Sequence, residues 1–119
     1  MNPRSRGMTV AGAAGVAWGG LLLLRGDVVW RRVAGSAPTP HAAWAVRVLG
    51  LRHLLQGIAQ TVWPWRWARL WVAVDATHAA TMLPLAVVGG PSRRPALLSA
   101  VVAAAGAGTV AATLRRSSR

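Results

Sequence analysis

The chain has 119 residues, 54% of them hydrophobic, which bounds it to one domain at most. It has no cysteine, so disulfides, thiolate zinc sites and iron–sulfur clusters are excluded. The net charge of +12 comes from fourteen arginines, but these cluster between long apolar runs, as in a polytopic membrane protein, and no nucleic-acid partner is expected.

A basic tail with Arg4 and Arg6 leads into residues 8–24, seventeen residues without a charge, at the short end of what crosses a bilayer. The run ends in Leu-Leu-Leu-Leu-Arg-Gly-Asp with no small-residue cleavage site, so a retained helix is expected rather than a signal peptide. Ala11, Gly15 and Gly19 share one face at four-residue spacing, and such small residues let helices approach closely. Residues 25–41 read as the first connection. Trp30, Arg31 and Arg32 suit the headgroup zone there, and Ala37-Pro38-Thr39-Pro40 breaks the helix before the next begins.

Residues 42–63 form the second apolar stretch. Its eight Val, Leu and Ile side chains contribute roughly −4 kcal/mol to insertion. Arg52 near its centre alone costs about +2.5 to +3.5 kcal/mol, so the stretch either lies on the membrane surface or inserts with a partner for that charge. The helical wheel favours insertion. Arg52, Gln56 and Gln60 recur every four residues with His53 beside them, forming one polar stripe, while Arg47 near the start can snorkel to the interface.

Trp63, Trp65, Arg66, Trp67, Arg69 and Trp71 then alternate indoles with guanidinium groups. This is the composition of a membrane-interface belt, with the arginines meeting anionic lipid headgroups. Residues 70–89 form the third stretch, with Pro84 expected to kink it and with Asp75 and His78 sharing a face with Met82. After a basic turn over 90–95, residues 96–114 are the fourth stretch, uncharged and rich in Ala, Val and Gly. Ala104, Gly108 and Ala112 repeat the small-residue spacing of the first helix. The two small-residue faces either close the bundle on each other or offer an interface to another chain, and the second outcome is expected for Gly15.

Four spans put both termini on one side, with Arg4, Arg6, Arg66, Arg69, Arg115, Arg116 and Arg119. Arg25, Arg31, Arg32, Arg93 and Arg94 fall on the other. The positive-inside rule therefore places both termini in the cytoplasm.

Counting from the Pro64–Trp65 turn, Arg52, His53, Asp75 and His78 fall within a few ångströms of the same depth at about 1.5 Å per residue. An Arg52–Asp75 pair explains how both charges survive in hydrocarbon. The bland reading is that this pair, with His53, His78, Gln56 and Gln60, staples the hairpin. Intramembrane ionisable residues are nevertheless functional candidates. A proton or ion relay through Asp75 and a histidine is one possibility, and haem held by His53 and His78 is another. A metal site of His53, His78 and Asp75 is disfavoured because Arg52 repels a cation. No Ser-His-Asp order, phosphate loop or carboxylate pair points to an enzyme, and neither cofactor nor metal is expected.

The segment Gly50-Leu51-Arg52-His53-Leu54-Leu55-Gln56-Gly57, followed by Asp75 in the next helix, resembles that of small four-helix bacterial membrane proteins of unknown function. In those families a G-x-R-[DH]-x-x-x-G segment precedes a lone Asp. The resemblance covers about residues 45–88 and implies a four-helix membrane bundle without an assigned activity. The scarcity of residues with AT-rich codons points to a high-GC genome such as an actinobacterium's. The expectation is an all-α bundle of four transmembrane helices over 8–24, 42–63, 70–89 and 96–114. Its expected role is that of an accessory or scaffold subunit in a larger membrane complex, such as a lipid importer or respiratory complex. The rival is a haem-binding or proton-handling protein using His53, His78 and Asp75.

Overall fold

The computed structural model describes residues 3–88, 90 and 93–117; Gly89, Pro91, Ser92 and Arg119, all part of the sequence expectations, lie outside these, as does the side chain of Arg4. The described secondary structure is entirely helical: α1 (Pro3–Ala34), α2 (Pro40–Val62), α3 (Ala68–Val88) and α4 (Arg93–Ser117). Even α3, the shortest at 21 residues, is roughly 32 Å long, about the thickness of the hydrocarbon core of a bilayer. Two stretches, Arg6–Ala34 in α1 and Arg93–Arg116 in α4, are long and apolar enough to cross a membrane.

The first connection is shorter than its composition suggests. Residues 25–34 are not a loop but continue α1 past a kink at Arg25, where the backbone leaves helical geometry (φ −137°, ψ 28°). After Gly26, nothing from Asp27 to Val33 breaks a helix, so charge at Arg25 and Asp27 ends the apolar run without ending the helix. Trp30, Arg31 and Arg32 accordingly sit on a helix. The real stop is Gly35, at φ 76°, whose N–H reaches the Arg31 carbonyl at 2.9 Å. Thr39 then caps α2 by accepting from the Ala42 N–H at 3.2 Å, with Pro40 at the first helical position. Pro84 lies inside α3.

α1 packs on α2, α3 on α4, and the two hairpins join through α1 and α4. The α1–α2 contact is made backbone to backbone through glycines. A Cβ on Gly57 would lie 2.5 Å from both the Gly12 carbonyl oxygen and the Val16 nitrogen, and one on Gly19 would strike Leu54 N and Gly50 O. The face bearing Gly15 and Gly19 therefore packs on α2 of its own chain. It neither closes on α4 nor remains open to a partner, correcting the expectation for Gly15. Gly50 and Gly57 supply the matching flat surface, and Gly12, one position from Ala11, completes the contact.

Large side chains contribute little to the interior. Among the described residues the buried apolar ones are Met8, Leu22, Val110 and four alanines, with Met8, Ala68 and Val110 forming a small cluster backed by Val72 and Leu114. Bulky apolar groups instead point outward on every helix. Leu24 of α1 is 82% exposed and Val87 of α3 is 84% exposed, and Leu55 and Ile58 of α2 and Val101 of α4 are also exposed.

Candidate functional site

α2 and α3 do not pack closely along their backbones, and side chains bridge the space between them. Arg52 donates from Nη2 to Asp75 Oδ1 at 2.7 Å, and Gln56 donates from Nε2 to Asp75 Oδ2 at 3.0 Å. Asp75 is only 3% exposed, so its carboxylate depends on these two donors. The four-residue spacing of Arg52 and Gln56 puts both on one face of α2, where one donates to Asp75 Oδ1 and the other to Oδ2. From the opposite side α4 approaches at Gly106, where a Cβ would lie 3.0 Å from Asp75 Oδ2. A side chain there would require the carboxylate to give by a few tenths of an ångström.

The structure distributes the remaining polar residues unevenly. His53 and Gln60 are buried on α2 with Gln56. His53 Nε2 has no hydrogen-bond partner among the described residues, and neither do Gln56 Oε1 and Arg52 Nη1. His78 does not join them: its Nε2 pairs with Ser99 Oγ of α4 at 2.7 Å. Ser99 had no signal in the sequence beyond being one of three hydroxyl residues, with Thr109 and Thr113, in the apolar stretch 96–114. Replacing it with alanine leaves His78 without its partner and should cost about 1 kcal/mol. The check is a thermal melt of the detergent-solubilised protein, with Ser99→Thr retaining the wild-type midpoint.

Two cavities flank this centre, each about 400 Å³. One is lined by His78, Ser99 and Met82 together with Trp30 and Val29 of the second part of α1. The other is lined by His53, Gln56, Gln60 and Asp75. Trp18 borders both. His53 and His78 thus line different cavities, and His78 Nε2 is engaged by Ser99 Oγ rather than turned toward His53. Among the described residues, no three His, Asp or Glu side chains are grouped to hold a metal ion.

The tryptophan-arginine segment divides in two. Trp63, Trp65 and Trp67 are exposed in the turn between α2 and α3, and the Arg66 guanidinium lies 5.7 Å from the Trp67 ring centroid. Arg69 is exposed at the start of α3. Trp71 is half-buried, and its Nε1, like that of Trp30, is buried without a partner among the described residues. The Nε1 atoms of these two indoles thus differ from the exposed rings of the turn in being covered by the protein itself. On α4, Ala104, Gly108 and Ala112 are exposed, and nothing lies within 4 Å of a Cβ built at Gly108. No family model, curated protein or solved structure matches the chain.

Proposed function

We propose that this chain is a four-span membrane bundle that acts, without catalysis of its own, as an accessory or scaffold subunit of a larger membrane assembly. The observation that carries the membrane reading is the inversion of the usual burial pattern. Asp75, Gln56, Gln60 and His53 are inside, while Leu24, Leu55, Ile58, Val87 and Val101 are outside, on all four helices. In water such a surface invites aggregation, whereas in lipid it is solvated and the polar groups gain by turning inward. α2 and α3, too polar to insert singly, cross as a pair because Arg52 and Asp75 neutralise each other. Both termini face the cytoplasm, and the exposed Trp63, Trp65 and Trp67 lie with Arg66 and Arg69 at anionic headgroups.

The chain is grouped on the same grounds with the small four-helix bacterial membrane proteins whose segment it resembles. In this bundle the two glycines of the segment sit at the α1–α2 contact, and the arginine between them reaches the lone aspartate. The accessory role rests on α4, since the small-residue face of α1 is used internally while that of α4 stays open. A partner helix can approach Ala104, Gly108 and Ala112 as closely as α2 approaches α1.

Two measurements test this reading. The protein should stay with the membrane fraction through alkaline carbonate and be released by detergent; release by carbonate alone removes the membrane assignment. Gly108→Leu should remain folded and lose its co-purifying chains in mild detergent. Retention of the same set by that variant removes the α4 interface.

A further inference from the structure

The cavity bordered by His53 and Gln56 has a polar end and an apolar wall. At about 400 Å³ it falls within the range of small-ligand sites, ~300–1,000 Å³. Val10 and Ala14 of α1 and Val102 and Ala105 of α4 make up much of the apolar wall. At the polar end His53 is 7% exposed and Gln56 6%, and each carries an atom without a hydrogen-bond partner among the described residues, as does Trp18. The cavity reaches the outer surface at Val10, which is 68% exposed, and the polar atoms left unpaired at its inner end are costly without a partner.

The chemistry of those atoms selects the ligand. The Gln56 amide has a fixed orientation, because its nitrogen faces a carboxylate that can only accept, so Oε1 is an acceptor in need of a donor. Trp18 Nε1 can only donate, and His53 Nε2 does either according to its tautomer. The centre is already neutral, with Arg52 against Asp75. A carboxylate entering it meets Asp75 and cannot satisfy Gln56 Oε1, and an ammonium group, which only donates, cannot accept from Trp18 Nε1. A hydroxyl group both donates and accepts and brings no charge.

We propose that this cavity binds a neutral lipid alcohol, of the fatty-alcohol, diacylglycerol or sterol kind. Its hydroxyl donates to Gln56 Oε1 and accepts from His53 or Trp18, and its hydrocarbon lies along the α1 and α4 wall. The site takes its ligand from the bilayer, so the inference rests on the membrane reading, which the carbonate extraction tests separately.

The probe is a dodecanol analogue carrying a photoactivatable diazirine at its chain end, added to the full chain in detergent, with crosslinks mapped by mass spectrometry. Labels should fall within residues 10–18 and 102–109. Unlabelled 1-dodecanol should suppress them, and dodecane, which has the same chain without the hydroxyl, should not. His53→Leu should weaken the dodecanol competition about tenfold, and Ala105→Phe, which fills the cavity, should abolish the labels. The wild-type comparison of dodecanol with dodecane stands even if a variant fails to fold. Equal suppression by dodecane shows apolar solvation only and overturns the proposal. Labels confined to outward residues such as Leu24 and Val87 overturn it too, leaving a cavity that is dry or holds water alone.

Discussion

Gly57→Leu is expected to prevent the chain from accumulating as a folded protein. The glycine lies where α1 and α2 meet through their backbones, and even the first carbon of a side chain would approach Gly12 O and Val16 N to 2.5 Å. Neither atom belongs to a side chain that can swing away, so the whole helix must move. Inserting bulk into a packed interior costs about 1–3 kcal/mol when neighbours can adjust. A rigid helix pair that cannot adjust should exceed that range and consume much of the roughly 5–15 kcal/mol of a typical domain's stability. Gly19→Leu should behave alike, because its Cβ meets Leu54 N and Gly50 O. Gly20→Leu is the control, with nothing within 4 Å of its Cβ. Expression and thermal melts in detergent would read the difference. If Gly57→Leu melts with Gly20→Leu, the α1–α2 contact is not as described.

Asp75→Ala should cost on the order of 3–5 kcal/mol, because it strands Arg52 and leaves Gln56 Nε2 without its acceptor. Arg52→Ala should cost at least as much, because it strands a carboxylate that is 5% exposed with Gln56 as its remaining side-chain donor, whereas the arginine left by Asp75→Ala is 24% exposed. The paired change Arg52→Gln with Asp75→Asn removes both charges and keeps hydrogen-bonding groups, so it should recover part of the loss. A double variant as unstable as the sum of the two alanine variants would show that the two residues are not coupled.

The bridge itself was legible because helical rise is constant: equal distances from the Pro64 turn place Arg52 and Asp75 at one depth. The stripe Arg52, Gln56, Gln60 likewise needs only the helical period. The partners that α4 supplies to α3 were not legible. Local spacing groups His78 with Asp75, but the side chain turns to Ser99 on α4, and Gly106 gives no hint in the sequence that it makes room for the Asp75 carboxylate. The Ala11, Gly15, Gly19 spacing identified a close-contact face without naming its mate. That depends on Gly50 and Gly57 lying on the next helix, where they are conspicuous only as part of the arginine segment. The extent of α1 was misjudged because charge was read as the end of a helix, when only Gly35 and the prolines after it stop the chain.

The central claim is that α2 and α3 cross the membrane along with α1 and α4, and the turn between them decides it. If only α1 and α4 cross, that turn lies on the same side as the α1–α2 connection. If all four cross, it lies opposite. The chain has no cysteine, so one can be introduced without background at Arg66 in that turn, and another at Ser36 in the α1–α2 connection. Intact cells treated with a membrane-impermeant maleimide should label Ser36→Cys and leave Arg66→Cys unlabelled until the membrane is permeabilised. Labelling of both, or of neither, from the outside would place the two turns on one side and contradict the four-span bundle.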